Sequence, residues 1–336
     1  MAEGKGKGKM QLMLSVIVPV YNVEDYIWKF IDSLKCQTFT KWECILVDDC
    51  STDSSRQICE LIGKTDERFR IIHNSRNMGL SAARNTGLKE ARGNYVLLCD
   101  PDDWMAPNML ENTIGMYHDI DMIVCGFNVV RYEDNQEYIV PNTIWSISEP
   151  AFVEDRKSIY KEILCKTGTM WNKVIRKEVI QDVKFDENMT YGEDTVFLAK
   201  MLCNVKKAVL IPLPLYYYYI NRPGNTVSTR NKERDFEFVR NSLQVYRSCC
   251  EYADPSYGII RMMVAVNIVL KKAKEKADMT KKELRLISKV LRTVSIKHQI
   301  SYFLSYKQGK ANIKYLLAAY FPVLYFRRVI RGTLAS

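Results

Sequence analysis

The sequence predicts an α/β fold: a mostly parallel central sheet with helices on both faces, followed by a C-terminal helical region. Short apolar, β-branched runs alternate with segments of helical spacing through the first hundred residues. Those runs are apolar throughout, as expected for parallel strands that are covered on both faces. From about residue 232 onward, apolar residues recur at intervals of three and four, which is typical of helices.

The first half reads as strand and helix in strict alternation. Asp53 is placed to cap the second helix and Gly93 to close the third. Ligands of such sheets bind at the carboxyl ends of the strands, where this sequence carries its polar clusters. Strands are predicted over 14–20, 43–48, 69–73 and 94–99, and helices over 24–37, 54–63 and 80–91.

The second half is less regular. Residues 121–150 and 205–220 have the composition of strands, whereas 151–203 mixes helix with loop. A domain boundary is expected near 225–232, before the helical region begins.

The charge is unevenly distributed along the chain. The sequence has 49 Lys and Arg against 39 Asp and Glu, a formal net charge of +10. No acidic residue follows Glu283, and the ten basic residues of 284–336 account for the whole excess. The remainder is electrically balanced, so a basic nucleic-acid-binding body is not expected and no nucleic-acid partner is predicted.

The cysteines and histidines set further bounds. Ten cysteines are scattered without a CxxC pair, which predicts free thiols, a reducing compartment and a cytoplasmic location. Three well-separated histidines do not predict a His-rich metal site. The most apolar stretch, 315–326, has 12 residues and contains Pro322. Because a membrane span needs about 20 residues, this stretch is expected to be buried or interfacial.

An acidic cluster follows the fourth predicted strand, at Asp100, Asp102 and Asp103. These carboxylates would repel one another in a half-buried site unless a cation neutralised them, and their oxygens suit Mg²⁺ or Mn²⁺. Taken alone, such a motif is equally compatible with a solvated acidic turn. Asp48 and Asp49 end a neighbouring strand, and their position favours a functional site.

Two other segments carry candidate chemistry. Glu193 and Asp194 precede an amphipathic segment over 195–202. On spacing alone, N-capping is the better interpretation, and a general base is the functional one. Residues 77–85 begin a helix whose N-terminus would attract phosphate, although Ser81 could simply cap it. Neither a GxGxxG motif nor a P-loop is present.

Six motifs in one order, and a seventh beyond them, identify a family resemblance over about 13–228. The chain resembles the family 2 glycosyltransferases with the GT-A fold, of the bacterial type. Cys50 stands where Gly is usual and Pro101 where Ser or Ala is usual, and neither change removes a functional side chain. The stretches are SVIVPVYN (15–22), DSLKCQTFTKWECILVDDCSTDSS (32–55), NMGLSAARNTGL (77–88), GNYVLLCDPDDW (93–104), MWNKVIRKE (170–178), FDENMTYGEDTVFLAKML (185–202) and YYYYINRPGNTVS (216–228).

The resemblance implies an inverting enzyme that transfers a sugar from a nucleotide diphosphate sugar, a UDP-sugar first of all, to a hydroxyl of a glycan or lipid-linked acceptor. It implies Mn²⁺ or Mg²⁺ as cofactor and a role in cell-surface polysaccharide synthesis. It also implies a GT-A domain over 13–228, with its nucleotide-binding half at 13–103 and its acceptor half at 104–228. The residues themselves predict a flexible tail over 1–12 and a basic, aromatic-rich helical region over 229–336.

Residue roles follow from the matched motifs. Asp49 would bond the nucleobase in a pocket lined by Pro19 and Tyr21. Asp102 would ligate the metal, and Asp194 would deprotonate the acceptor. The remaining candidates are Asp100 for the ribose or the metal, Arg84 and Arg222 for the diphosphate, and Trp171, Asn172, Lys173 and Glu193 for the acceptor side.

The basic segment 284–336 leaves two interpretations open. Its Lys and Arg residues alternate with Tyr and Phe, which suits peripheral contact with an anionic membrane surface. A helical subdomain that packs its aromatic residues on the body is equally compatible.

Two non-catalytic classes of protein compete with the enzyme interpretation. One is a catalytically weak sugar-nucleotide-binding or scaffold protein. The second is a membrane-surface or nucleic-acid-binding protein that acts through the basic tail. A nucleotidyltransferase would need a Gly-rich phosphate loop, which the sequence lacks.

Overall fold

A computed structural model describes the chain over 14–133, 136–142, 144–220, 232–276 and 280–294. The predicted N-terminal tail, Arg222, the predicted domain boundary and the apolar stretch 315–326 lie outside those ranges, as does most of the basic segment 284–336. Among the described helices, none is long and apolar enough to cross a membrane.

The described strands form one mixed sheet. Its order is β3-β2-β1-β4-β9-β6-β10-β5, with β7 paired to β6 and β8 paired to β10. The strands are β1 Leu14–Val20, β2 Trp42–Asp48, β3 Phe69–His73, β4 Tyr95–Leu98, β5 Trp104–Met105, β6 Met122–Glu133, β7 Gln136–Asn142, β8 Ala151–Val153, β9 Lys173–Arg176 and β10 Ala208–Tyr219.

The helices lie on both faces of this sheet and continue into a C-terminal group. Two π-helical turns, Glu111–Gly115 and Tyr160–Leu164, and a 3₁₀ turn, Leu202–Asn204, interrupt the second half. The α-helices are α1 Ile27–Lys35, α2 Ser55–Thr65, α3 Leu80–Glu90, α4 Arg156–Ile159, α5 Lys177–Ile180, α6 Glu193–Met201, α7 Lys232–Tyr252, α8 Pro255–Lys276 and α9 Lys281–Thr293.

The parallel half confirms the prediction from apolar runs. All seven residues of β1 are buried, and they alternate between two apolar layers. Val16 and Val18 enter the layer beneath α1 and α2, whereas Ile17 enters the opposite layer. There α3 packs so closely that a Cβ on Gly87 would lie 2.2 Å from Ile17 Cγ2. Glycine at this position therefore sets the distance between α3 and the sheet.

The second half departs from the prediction of helix and loop over 151–203. That range contains β8 and also β9, which runs antiparallel between β4 and β6. β9 has only four residues, and its two apolar members are flanked by Lys173 and Arg176. So short a strand has little pattern of its own, and its pairing depends on residues about 50 to 80 positions away.

Three predicted helix ends need correction. Gly93 does not close α3, because the helix ends at Glu90 with an extended residue after it, and Gly93 N donates to Ser15 Oγ instead. Ser81 does not cap α3, whose N-cap is Gly79 with φ of 90°. The N-cap of α2 is Ser54, and Asp53, one residue before it, accepts from Ser55 N at 2.9 Å through Oδ1.

The C-terminal helices share the core of the sheet domain. Val245 and Cys249 of α7 belong to the same buried cluster as Val196 and Phe197 of α6. A further apolar cluster joins α7, α8 and α9 to one another. At the crossing of α7 and α8, a Cβ on Gly258 would lie 2.4 Å from Tyr246 Cα, so the two helices are in close contact.

All ten cysteines lie in the described ranges and are free thiols, as predicted. Cys50 has a φ of 64°, in the left-handed region that costs an L-residue roughly 1–2 kcal/mol. We expect Cys50→Gly to raise the free energy of unfolding by about 0.5–1 kcal/mol, because part of that gain is lost to the entropy of glycine in the unfolded chain. Urea unfolding, with Cys50→Ser as the matched control, measures it. A glycine variant no more stable than the serine variant would contradict the expectation.

Candidate functional site

The carboxyl ends of β1, β2 and β4 meet at one edge of the sheet. β1 and β2 run parallel with Val20 paired to Asp48, and Asp49 N donates to Val20 O at 2.8 Å. β4 flanks β1 on its other side and leads directly into the acidic cluster. This edge therefore gathers most of the predicted donor-side residues: Pro19, Tyr21, Asp49, Asp100 and Asp102.

Asp49 is 3% exposed and holds the start of α3. Its Oδ2 accepts from Gly79 N at 2.7 Å and from Met78 N at 3.1 Å, and its Oδ1 accepts from Asn74 Nδ2 at 2.7 Å. Two backbone amides just before α3, those of Met78 and Gly79, are thus engaged by a carboxylate. The predicted bond from Asp49 to a nucleobase stays a prediction, and the structure adds that Asp49 positions α3.

The acidic cluster after β4 divides into one buried and two partly exposed carboxylates. Asp103 is 1% exposed, and its Oδ1 accepts from Tyr219 N at 2.8 Å, which ties the turn to β10. Burial raises the pKa of Asp103 well above its usual range, and the negative charges of Asp102 and Asp100 raise it further. Asp100 and Asp102 keep partial exposure, so they are the members available to a ligand.

Arg84 of α3 joins the acidic cluster to Glu193 and Asp194. Its Nη2 donates to Asp100 Oδ1 at 3.0 Å, while its Nη1 donates to Glu193 Oε1 at 3.0 Å and to Asp194 Oδ1 at 2.6 Å. Burial lowers the pKa of Arg84, but the three carboxylates outweigh that effect and raise the pKa. Both terminal nitrogens are engaged and the side chain is 4% exposed. Its predicted contact with a diphosphate stays a prediction.

Asp194 lies in the first turn of α6 with its side chain 18% exposed. Burial raises its pKa, Arg84 opposes the rise and the like charges of Glu193 and Asp100 reinforce it, so the pKa reaches about 7. The N-capping interpretation of the Glu-Asp pair is wrong, because the N-cap is Gly192, in the left-handed region at φ 82°. A carboxylate with this pKa is suited to take a proton near neutral pH.

The predicted acceptor-side residues of the WNK motif lie beneath this cluster. Trp171 stacks on Tyr216 with ring centroids 4.7 Å apart, and Lys173 Nζ donates to Asn172 Oδ1 at 2.8 Å. All three are at most 3% exposed. Burial lowers the pKa of Lys173 to about 7, and the Asp194 charge opposes this shift. Because these side chains are buried, they would influence an acceptor indirectly, through the shape of the site above them. Their acceptor role stays a prediction.

Sequence reasoning missed two supports of the site. The Tyr216 hydroxyl accepts from Asp100 N at 3.3 Å. Asn85 fixes the segment that leads to Asp194, since its Oδ1 accepts from Phe185 N at 2.9 Å and its Nδ2 donates to Phe185 O at 3.0 Å. Asn85 lies in the matched stretch 77–88, one residue after Arg84, so its position in the sequence could have identified it as a candidate.

With this geometry established, the match to a known family decides the assignment. Residues 15–184 match the family described as glycosyl transferase family 2. The chain belongs to this family. The matched range includes both acidic motifs of the first half and Arg84 but ends before Asp194.

One sequence relative and two solved structures are similar to this family 2 chain. It is 33% identical over 215 residues to the uncharacterized glycosyltransferase EpsJ of Bacillus subtilis, covering 62% of this chain and 61% of EpsJ. The chain thus spans less than two thirds of that relative's length. Staphylococcus aureus TarS 1–349 in complex with UDP has a TM-score of 0.74 at 20% identity, covering 96% of this chain and 92% of that chain.

The second structure is the mannosyltransferase PcManGT of Pyrobaculum calidifontis, in complex with GDP-Man and Mn²⁺. Its TM-score is 0.51 at 16% identity, covering 93% of this chain and 86% of that chain. At these identities the likeness shows the fold alone, and the predicted GT-A fold of this family 2 chain is confirmed.

Whether a divalent cation fits this family 2 chain depends on the side chains at the end of β4 that could bind it. Within the described ranges, no group of three or more His, Cys, Asp or Glu is arranged to hold a metal ion. The donor set is instead a pair of partly exposed carboxylates, Asp100 and Asp102. Mg²⁺ and similar hard cations are commonly bound by one or two carboxylates plus phosphate oxygens and water. The pair therefore fits a cation that binds together with a nucleotide diphosphate.

Proposed function

We propose that this chain is an inverting glycosyltransferase that moves a hexosyl or N-acetylhexosaminyl group from a UDP-sugar to a hydroxyl of a glycan or lipid-linked acceptor, in cell-surface polysaccharide synthesis. One observation carries the proposal. Arg84 bonds Asp100 on the donor-side edge of the sheet and Asp194 at the start of α6. A donor-side acid and a separate carboxylate base thus belong to a single site.

The donor class is supported by the comparison structures. TarS has been solved with UDP and with UDP-GlcNAc. Its name, poly(ribitol-phosphate) β-N-acetylglucosaminyltransferase, describes transfer of an N-acetylhexosaminyl group to a hydroxyl-rich polymer. UDP-GlcNAc is therefore the first donor to test, and a polymer or lipid-linked glycan the first class of acceptor.

The proposed reaction needs one proton transfer and one displacement. An Asp194 oxygen takes the proton of the acceptor hydroxyl while the acceptor oxygen attacks the anomeric carbon of the donor. The bond from that carbon to the diphosphate oxygen breaks on the opposite face, and UDP leaves with the bonding electrons. Attack and departure on opposite faces invert the anomeric centre, as in inverting glycosidases that use a carboxylate base.

Two groups of charges support this step. Arg84 holds the Asp194 carboxylate towards the donor edge with a 2.6 Å bond. Asp100 and Asp102 would hold Mn²⁺ or Mg²⁺, and the cation would supply positive charge for the leaving diphosphate.

A donor panel tests the function. The full chain is assayed with UDP-GlcNAc, UDP-GalNAc, UDP-Glc, UDP-Gal and GDP-Man in the presence of Mn²⁺, with UDP or GDP release and thermal shift as readouts. We expect one or more UDP-sugars to stabilise the fold and to be hydrolysed slowly without acceptor. If no nucleotide sugar is bound or turned over, the proposed function is wrong. Binding without turnover, even with acceptor oligosaccharides, would favour a scaffold protein instead of an enzyme.

We expect Asp102→Ala to remove the metal dependence of donor binding. In the wild type, UDP-sugar affinity should fall at least tenfold when EDTA replaces Mn²⁺, whereas the variant should bind weakly and equally in both, because a metal contact to the diphosphate is lost. Isothermal titration calorimetry measures both affinities. Asp119→Ala, at a carboxylate with 97% side-chain exposure, is the matched control. A variant that keeps the wild-type response to Mn²⁺ would exclude Asp102 as a ligand.

The raised pKa of Asp194 predicts the acid limb of the pH profile. A base must be deprotonated, and the pKa of Asp194 in the free protein is about 7, so kcat/KM, which reports the free enzyme, should fall tenfold per pH unit below about pH 7. In Glu193→Gln a like charge is lost, which lowers the pKa of Asp194 and shifts the limb to lower pH. Values of kcat/KM for the donor, measured from pH 5 to 9 at constant Mn²⁺, test both. A flat wild-type profile down to pH 5 would contradict the assignment of the base.

A further inference from the structure

The C-terminal helices hold the segment that carries Asp194 at several points. On α7, Glu237 Oε1 accepts from Thr190 N at 2.7 Å, and Asn241 Nδ2 donates to Tyr191 O at 2.8 Å. A Cβ on Gly192 would lie 2.9 Å from a ring carbon of Phe238, so α7 also packs directly against the start of α6. These contacts lie immediately before the Glu-Asp pair in the chain.

α8 reaches the same segment from the other side through Arg261. Its Nη2 donates to Thr195 Oγ1 at 3.1 Å, and Thr195 directly follows Asp194 in the chain. The guanidinium passes over Gly168, where a Cβ would lie 2.2 Å from Arg261 Nη2 and 2.5 Å from Thr195 Oγ1. A side chain at position 168 would therefore displace the arginine from the threonine.

Arg261 joins a polar network that continues beneath the site. Thr195 Oγ1 donates to Gly168 O at 3.5 Å, and in the next residue Thr169 O accepts from Lys173 Nζ at 2.6 Å. Arg261 thus bonds the first turn of α6, and that turn bonds the 168–173 segment that also carries the buried Lys173. Asp194 itself is bonded by Arg84 of α3. The first turn of α6 is therefore bonded both by the sheet domain and by the C-terminal helices.

Arg261 is partly buried, and its Nε has no hydrogen-bond partner among the described residues. Burial lowers the pKa of Arg261. A polar group buried without a partner opposes folding, so packing alone does not account for an arginine at this position. The contact that a methionine or leucine could not make is the hydrogen bond to Thr195.

We propose that Arg261 is a positioning residue for the reaction: it fixes the first turn of α6, and so the Asp194 carboxylate, through Thr195 and Gly168. The inference rests on the proposed role of Asp194 as base. It assigns part of the active site to the C-terminal helical region, which the sequence divides from the catalytic domain at 228.

The test compares Arg261→Met and Arg261→Lys with the wild type. Arg247→Met is the matched control, because Arg247 is an exposed arginine of α7. We expect Arg261→Met to lower kcat by about 10- to 100-fold, the size of effect that a small misplacement of a catalytic group produces, with the Kd for UDP unchanged within about twofold. Arg261→Lys should recover part of kcat, and Arg247→Met should leave it within about twofold of wild type.

Hydrogen exchange and a second variant, at Thr195, test the proposal further. Hydrogen exchange needs no turnover: in Arg261→Met, the first hydrogen-bonded amides of α6, from Val196 onward, should exchange faster while those of β1 and α2 stay unchanged. If Arg261→Met does not fold, Thr195→Val removes the hydroxyl that accepts from Arg261 and donates to Gly168 O, and should lower kcat in the same direction, with Thr195→Ser retaining activity. Unchanged kcat and exchange in either variant, or a parallel loss of UDP binding, would overturn the proposal. Failure of the proposed function would show separately, as a wild type that neither binds nor turns over any nucleotide sugar, and failure of the base assignment as near-normal turnover in Asp194→Asn.

Discussion

Asp194→Asn is expected to lower sugar transfer by at least about 1,000-fold, because the variant lacks the group that accepts the acceptor's proton. Asparagine has the same shape as aspartate, and its Oδ1 can still accept from Arg84 Nη1, the bond that is 2.6 Å long in the wild type. Donor binding at the sheet edge should remain within about twofold, since a lost proton acceptor removes catalysis and leaves ground-state contacts in place. Transfer to acceptor and UDP affinity are measured on the same preparation.

Glu193→Gln is the matched control for this variant. Glu193 also bonds Arg84, at 3.0 Å, and removing its charge changes the electrostatics of the cluster to a similar extent. If the loss came from a disturbed ion cluster, both variants would lose turnover equally. We expect Glu193→Gln to keep activity within about tenfold, because the base itself is intact. Near-normal turnover in Asp194→Asn would show that another group takes the proton.

The parallel half of the fold could be predicted because its strands are buried on both faces. Such strands read as continuous apolar runs, so 14–20 matched Leu14–Val20 without error. The edge strand β3 is mostly half-buried, and its predicted range 69–73 also matched Phe69–His73. The carboxyl-end edge then followed from the general behaviour of parallel sheets. The start of α3 was also predicted correctly, but Ser81 is not its cap, and the amides of Met78 and Gly79 that lead into the helix donate to Asp49, about 30 positions away.

Long-range pairing explains what the sequence could not show. β9 was missed because a four-residue strand between two antiparallel neighbours is defined by its partners. The family resemblance implies a diphosphate contact for Arg84, which stays a prediction. No local pattern indicates the partners that Arg84 has in the structure, carboxylates 16, 109 and 110 positions away. Local pattern identifies the residue types of the site, whereas the pairings among them depend on the tertiary fold.

Arg84→Met is expected to be the most destabilising of these substitutions. The variant would leave Asp100, Glu193 and Asp194 close together without the cation that now bonds all three, and removing one partner of a buried ion pair typically costs about 3–5 kcal/mol. Arg84→Lys is the matched control, since it retains the charge but has a single ammonium where the guanidinium uses two nitrogens. Urea unfolding in EDTA, free of donor, measures each free energy, and the lysine variant should fall between the other two.

The pH dependence of that loss separates electrostatic from packing effects. In Arg84→Met the guanidinium that opposes the rise in the pKa of Asp194 is lost, while the charges of Glu193 and Asp100 remain, so the pKa of Asp194 moves further above its unfolded value. A carboxylate with a raised pKa stabilises the folded state below its unfolded pKa and loses that contribution as pH rises. The difference between wild type and Arg84→Met should therefore be smallest near pH 5 and grow towards pH 8. A difference that is constant over this range would mean that Arg84 stabilises the fold through the packing of its side chain against Phe185, whose ring centroid lies 5.4 Å from the guanidinium carbon.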